Sequence, residues 1–286
     1  MTPVLHGDVE LRTQTFGSPG DPPVVLVMGA TASMLWWPES LCTALSRRGY
    51  FVIRYDNRDT GRSTSSPLGE SAYAVEDMAE DLVAVIDGLD LPSAHVVGMS
   101  LGGLIGQIVA LTHPERLRSL TVLGAEPLGW DGDPLPGIGA AFLDHFATME
   151  ALDWSDRVAV IAFMLEIARL SAGTREPFDA ERERARIEAE LDRATDIRSA
   201  FNHGALALRD DWSGKAAQIA RPVLVLHGDE DPIAPPENGR AIANVIPGAQ
   251  LHILRQVGHE LPESAVPEIV GTLVDFLHGV ERRSGG

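Results

Sequence analysis

The sequence is poor in cysteine, in basic side chains and in long hydrophobic runs, and each shortage excludes a class of function. The single cysteine, Cys42, has no partner for an internal disulfide, and its apolar neighbours at helical spacing favour a buried structural thiol. Basic residues number 23 against 41 acidic ones, so the formal net charge of −18 would repel phosphate backbones and anionic membranes. We therefore expect no nucleic-acid partner and no membrane partner.

Other absences concern location and cofactors. No apolar run approaches the roughly 20 residues that a membrane-spanning helix needs. Residues 1–16 lack the basic region followed by an apolar region that is typical of a secretory signal, so we expect a cytoplasmic protein. The chain also lacks a cluster with zinc-ligand spacing and a phosphate-binding glycine loop, which predicts neither a metal nor a cofactor.

Short apolar runs bounded by Gly, Pro or Asp alternate along the chain with stretches of helical period. The predicted strands are residues 9–15, 24–28, 51–55, 95–97, 120–123, 223–226 and 250–254. The predicted helices are residues 35–48, 75–88, 104–112, 241–245 and 267–278. Continuously apolar strands joined by crossover helices indicate an α/β fold, with a mostly parallel central sheet and helices on both faces.

The alternation stops between Glu126 and Asp211, where a Gly/Pro-rich beginning leads into helical stretches without a strand. We interpret residues 126–211 as an inserted helical cap on a core formed by residues 1–125 and 212–286. The middle of the insertion, residues 176–193, is dense in Glu and Arg at helical spacing, a pattern typical of a solvated helix face. The apolar mass of the insertion comes from Phe142, Phe146, Trp154, Phe163, Met164, Phe178 and Phe201, together with Trp212 directly after it.

A candidate nucleophile lies in the motif Gly98-Met99-Ser100-Leu101-Gly102, between an apolar run and a helical stretch. A serine on a sharp, glycine-flanked turn from strand to helix forms a nucleophile elbow. The motif alone is too short to be specific, so its context must decide. A serine hydroxyl becomes an effective nucleophile when a histidine removes its proton and a carboxylate orients that histidine.

Two polar turns follow the last two predicted strands and supply the candidate acid and base. The carboxyl ends of parallel strands meet at one sheet edge, so these turns should converge on the elbow, which gives the chain order Ser, Asp, His. Of the nine histidines, His259 follows the final strand in a Gly-led turn. For its partner we prefer Asp231 to Asp229, because Asp229 directly follows Gly228 and can cap the turn with its own side chain.

The remaining candidates lie around the oxyanion of the expected reaction. Attack on an ester carbonyl places negative charge on its oxygen, which two backbone N–H groups must stabilise. We expect these donors at Leu101 in the elbow and at Ala30, after the turn at Gly29. Gly29, Trp36 and Trp37 are candidate substrate-binding residues, although the two tryptophans could instead pack against the cap.

Several stretches carry a resemblance to a known family. They are LVMG at 26–29, IRYDNRDTGRS at 53–63, HVVGMS at 95–100, DPIAP at 231–235 and GH at 258–259. Through them the chain resembles the α/β-hydrolases and, within that family, the aclacinomycin methylesterases of anthracycline biosynthesis. The resemblance implies hydrolysis of a methyl ester on a polycyclic aromatic polyketide, with the inserted segment as the cap. The residues it implies are Ser100, Asp231 and His259 as triad and Ala30 and Leu101 as oxyanion donors.

The expected function is cofactor-independent hydrolysis of a small-molecule ester, in a monomer or small homo-oligomer. Ser100 argues against dehalogenase and epoxide hydrolase chemistry, for which this family uses an aspartate at that position. Two alternatives stay open: a cyclase, decarboxylase or lactonase on the same fold, and a ligand receptor in which slow hydrolysis accompanies signalling. Residues 56–63, which are polar and follow a predicted strand, suit a hydrogen-bonded loop that braces the elbow.

Overall fold

Eight strands form one sheet in the computed structural model, which describes residues 2–284. The strand order is β1-β2-β4-β3-β5-β6-β7-β8; β2 pairs antiparallel with β1 and β4, and the pairs from β4 to β8 are parallel. The strands are β1 Thr2–His6, β2 Val9–Phe16, β3 Pro23–Val27, β4 Phe51–Tyr55, β5 Ala94–Met99, β6 Leu117–Leu123, β7 Val223–Gly228 and β8 Gln250–Leu254.

Each predicted helix is present, although α7 begins five residues before its predicted start at 241 and the first predicted helix is interrupted. They are α1 Glu39–Ser46, α2 Val75–Gly88, α3 Leu101–Thr112, α4 Ala140–Ala147, α5 Arg157–Ser171, α6 Ala180–Arg193, α7 Pro236–Val245 and α8 Val266–Ser284. The predicted helix 35–48 is instead a 3-10 turn, Met34–Trp36, followed by α1. The break falls at Pro38, because a proline holds the residue before it in an extended conformation and Trp37 has φ −77° and ψ 111°.

Two apolar layers cover the sheet. Val25 and Val27 of β3 face the layer that contains α2, α3 and α7, whereas Val24 and Leu26 face the layer formed with α1 and α8. Successive side chains of a strand point to opposite faces, so a strand covered twice must be apolar at every position. The predicted α/β fold, with a mostly parallel sheet and helices on both faces, is confirmed.

The segment between β6 and β7 contains α4, α5 and α6 and its own apolar cluster. Phe146 and Trp154 pack against that cluster, but Trp212 does not. Trp212 lies in the layer beside α2 and α3, where its indole Nε1 donates a hydrogen bond to Glu76 at 2.8 Å. The boundaries of the segment at residues 126 and 211 stay a prediction. The cluster consists of Val160, Ile161, Phe163, Met164, Ile187, Ala200 and Phe201.

None of the helices within residues 2–284 combines the length and the apolar character needed to cross a membrane.

Candidate active site

Ser100 lies on the turn between β5 and α3 in a strained backbone conformation, with φ 52° and ψ −118°. The glycines on either side of it are required by close backbone contacts. A Cβ on Gly98 would lie 2.1 Å from the carbonyl oxygen of Gly102, and a Cβ on Gly102 would lie 2.1 Å from the carbonyl oxygen of Val27. The sequence therefore holds the serine on a sharp turn that larger neighbours would prevent.

His259 and Asp231 are joined across the carboxyl edge of the sheet. The histidine Nδ1 lies 2.7 Å from Oδ2 of the buried Asp231 carboxylate. The other oxygen, Oδ1, accepts hydrogen bonds from the N–H groups of Ile233 at 2.9 Å and Ala234 at 2.8 Å. This arrangement places the ring proton on Nδ1 and leaves Nε2 as the basic nitrogen.

The structure brings Asp231, and not Asp229, to the histidine, although the physical reason differs from the expected one. Asp231 caps its own turn and still reaches the histidine with its second oxygen. Asp229 caps nothing in that turn: it accepts a hydrogen bond from the N–H of Gln256 and pairs with Arg255 at 3.0 Å. The expectation that Asp229 would occupy the turn is therefore wrong.

Ser100 and His259 both line a cavity of about 520 Å³, a volume typical of small-molecule sites. Gly29, Ala30 and Leu101 line the same cavity, so the candidate oxyanion donors lie beside the candidate nucleophile. The inserted segment supplies an apolar wall of the cavity. That wall includes Ile138, Phe142, Leu143, Phe146, Met164, Ile167, Ala168 and Phe201.

The turn after β3 is held close to the elbow. A Cβ on Gly29 would lie 3.0 Å from the Cβ of Ser100, so a glycine permits this approach. The amide of Asn57 donates a hydrogen bond to the carbonyl of Met28 at 3.0 Å. Asn57 belongs to the loop of residues 56–63, which therefore braces the turn after β3 that carries the candidate donor Ala30. The sequence predicted a brace for the elbow itself.

Sequence reasoning missed His203, which comes from the inserted segment and lines the cavity. Its Nδ1 accepts a hydrogen bond from the N–H of Thr31 at 3.2 Å, and its Nε2 donates to the carbonyl of Arg58 at 2.9 Å. Burial lowers the pKa of His203, which keeps the ring neutral and Nδ1 available as an acceptor. Its neighbours in the sequence are ordinary residues of the inserted segment. Only the contacts in the structure show that His203 lines the cavity and binds the turn after β3.

The two candidate tryptophans point in different directions. Trp37 is fully buried in the layer beside α1 and α8 and does not line the cavity. Trp36 lines the cavity, and the guanidinium of Arg186 lies 3.7 Å from the centre of its ring. At this distance the cation is attracted to the ring face, and Arg186 is also paired with Glu183.

The composition of residues 176–193 predicted a solvated helix face, but part of helix α6 is buried. Glu183 and Glu190 are buried, and Arg193 forms an ion pair with the buried Asp56 at 2.7 Å. Glu183 and Arg186 both line the cavity. The charges at positions 183, 186, 190 and 193 share one side of the helix because they recur at intervals of three and four. Within residues 2–284 no group of three or more His, Cys, Asp or Glu side chains is arranged to hold a metal ion.

The chain is similar to several known proteins. A family model described as alpha/beta hydrolase fold matches residues 22–265. The chain is 35% identical to the rhodomycin D methylesterase DnrP of Streptomyces peucetius, over 91% of this chain and 92% of that protein. The rhodomycin D methylesterase DauP of Streptomyces sp. strain C5 matches with the same identity and coverage. The solved esterase EaEST from Exiguobacterium antarcticum has the same fold, with a TM-score of 0.79, 23% identity and coverage of 97% of this chain and 99% of that one.

Proposed function

Since the chain belongs to the α/β-hydrolase family, as its motifs predicted, we propose that this hydrolase cleaves carboxylic esters with Ser100 as its nucleophile. Its proposed substrate is a methyl ester of a polycyclic aromatic polyketide or a similar small molecule. The observation that carries the proposal is the cavity wall shared by Ser100 and His259, with the histidine ring bonded to the buried Asp231. The likeness to two rhodomycin D methylesterases along most of the chain supports the methyl ester.

In the proposed reaction the Ser100 oxygen attacks the ester carbonyl while His259 Nε2 accepts the hydroxyl proton. The negative charge moves to the carbonyl oxygen, where the N–H groups of Ala30 and Leu101 stabilise it. His259 then returns the proton to the departing methoxide, which leaves as methanol. Water, deprotonated by the same ring, then attacks the acyl-serine. The bond to Ser100 Oγ breaks, His259 returns the proton to that oxygen, and the acid is released. No step calls for a metal ion or a cofactor.

The volume and lining of the cavity favour a large aromatic acyl group over a short aliphatic one. Its wall carries several aromatic rings, among them Trp36, Phe142, Phe146 and Phe201. Phe142 and Phe146 are stacked with their centroids 5.8 Å apart and their planes 20° from parallel. Flat rings of this kind offer stacking surface to a planar substrate.

The test is product analysis by mass spectrometry with a panel of polyketide methyl esters, lactones and simple aliphatic esters. We expect release of methanol and of an acid that lacks one methyl group. Ser100→Ala should lower this turnover about 10⁴-fold or more, as removal of a triad serine does in other hydrolases. Ring opening by added water would instead indicate a lactonase, and loss of carbon dioxide a decarboxylase. Binding without repeated turnover would indicate a receptor.

A further inference from the structure

A short strap of the inserted segment, residues 171–175, lies against both loops that carry the candidate acid and base. We use the name acid loop for residues 229–235 and histidine loop for residues 255–261. The strap begins at the last residue of α5 and precedes α6. Its first residue, Ser171, lines the cavity together with His259.

The strap holds the histidine loop through hydrogen bonds on both sides of the catalytic candidate. The N–H of His259 donates to the carbonyl of Ser171 at 2.7 Å, and the N–H of Arg175 donates to the carbonyl of Gln256 at 2.8 Å. The N–H of Gly173 donates to the carboxylate of the glutamate after His259 at 2.7 Å. The backbone of His259 is therefore fixed by the inserted segment, whereas Asp231 fixes its ring.

The strap also holds the acid loop, and the two loops hold each other. Glu230 accepts hydrogen bonds from the N–H of Thr174 at 2.7 Å and from its hydroxyl at 2.9 Å. The N–H of Glu230 in turn donates to the carbonyl of Val257 at 3.0 Å. The strap, the acid loop and the histidine loop are thus each hydrogen-bonded to the other two.

Glycines permit the close approach of the strap, the histidine loop and the acid loop. A Cβ on Gly258 would lie 2.1 Å from the carbonyl oxygen of Ser171, and a Cβ on Gly173 would lie 2.4 Å from that of Gln256. A Cβ on Gly228, which directly precedes the acid loop, would lie 2.2 Å from the carbonyl oxygen of Val257 in the histidine loop. None of these distances accommodates a side chain, so the backbones of these segments are in direct contact.

We propose that the strap is a positioning element for His259. The contacts that hold the inserted segment against the core also align the base with Ser100. The proposal rests on the function proposed above. A strap that only anchored the insertion would affect bulky substrates, which touch the insertion, and would leave the base in place. A strap that positions His259 affects every substrate, because a small displacement of a general base lowers the rate whatever the acyl group.

The test compares Gly173→Ala and Glu230→Ala with Gly137→Ala and Glu237→Ala. Gly137 lies in the same segment with nothing within 4 Å of an added Cβ, and Glu237 is an exposed carboxylate beside the acid loop. Gly173→Ala should lower kcat about tenfold or more for both p-nitrophenyl acetate and a bulky aromatic methyl ester, with KM changed less than about twofold. Glu230→Ala leaves the buried contacts intact. It should lower kcat by the same factor for p-nitrophenyl acetate and for the bulky ester. The two controls should match the wild type.

A second readout needs no turnover. In proton NMR spectra of the unliganded enzyme, the His259 Nδ1 proton bonded to Asp231 should exchange with water faster in Gly173→Ala and Glu230→Ala than in the controls. An unchanged exchange rate, or loss of activity toward the bulky ester alone through a raised KM, would overturn the positioning role. If the wild type hydrolyses no ester while the exchange rates still differ, the proposed function fails and the positioning role stands.

Discussion

The carboxylate of Glu190 accepts a hydrogen bond from the hydroxyl of Ser33, which joins helix α6 to the turn that follows the candidate oxyanion residue. The Glu190 side chain is fully buried, and that burial raises its pKa to about 7. The negative charge of Asp56 raises this pKa further, whereas the Ser33 hydroxyl and the guanidinium groups of Arg193 and Arg186 oppose the rise. The Glu190 carboxyl, which joins the insertion to the core, therefore titrates near neutral pH.

Glu190→Gln should remove a pH dependence of folding stability. A carboxyl whose pKa rises from 4.5 in the unfolded chain to about 7 in the folded one favours the folded state below the lower value. That contribution is lost as the pH rises through about 7, a change on the order of 3 kcal/mol. Urea unfolding at about pH 5 and about pH 8 should show a smaller stability loss in Glu190→Gln than in the wild type.

The exposed Glu181 on the same helix provides the matched control, since Glu181→Gln should leave the pH dependence unchanged. A Glu190→Gln protein whose stability falls as steeply with rising pH as that of the wild type would show that this carboxyl does not carry the effect.

Gly29→Ala should impair catalysis with little effect on folding. The added Cβ would lie 3.0 Å from Ser100 Cβ and 3.3 Å from the carbonyl oxygen of Met99, so the turn that carries the candidate donor Ala30 must move away from the elbow. We expect kcat to fall about 10- to 100-fold, since a displaced oxyanion donor weakens stabilisation of the transition state. Steady-state kinetics with p-nitrophenyl acetate would measure the loss.

The control variant is Gly271→Ala, in the interior of α8 with nothing within 4 Å of an added Cβ. It should keep full activity and gain up to about 1 kcal/mol of stability. Equal activity of the two variants would argue against Ala30 as a donor.

Asp231→Asn should lower kcat far more than Asp229→Asn. The asparagine at position 231 cannot stabilise a positively charged His259 and favours the wrong ring tautomer, a change that costs about 10⁴-fold in serine proteases. The asparagine at position 229 keeps an oxygen for the N–H of Gln256, so its kcat should fall less than about tenfold. A reversed order in the kinetics of the two variants would assign the acid to Asp229.

Elements with strong local signals could be predicted from the sequence. Helix α2 begins and ends at the predicted residues, Val75 and Gly88, because its apolar residues recur at helical spacing. Strand β1 was missed, since only Val4 of its five residues is buried and Leu5 is 70% exposed. A strand at the edge of the sheet needs no continuous apolar run, so hydrophobicity alone does not reveal it.

The candidate site could be predicted as far as its residues follow strand ends. Ser100, Asp231 and His259 meet that condition, and the structure brings the last two into contact. The parts supplied by the insertion could not be predicted. The bond between Ser171 and His259 and that between Ser33 and Glu190 join residues far apart in the sequence, and no local period records them. Charges on α6 were misread because composition does not show which face of a helix is covered.

The assignment of Ser100 as the nucleophile of an ester hydrolase is tested most directly by covalent labelling. The wild type and Ser100→Ala would be treated with a fluorophosphonate, which reacts with activated serines, and the modified residue located by peptide mass spectrometry. We expect one adduct, on Ser100, in the wild type and none in the variant. An adduct on another serine, or equal labelling of Ser100→Ala, would contradict the assignment.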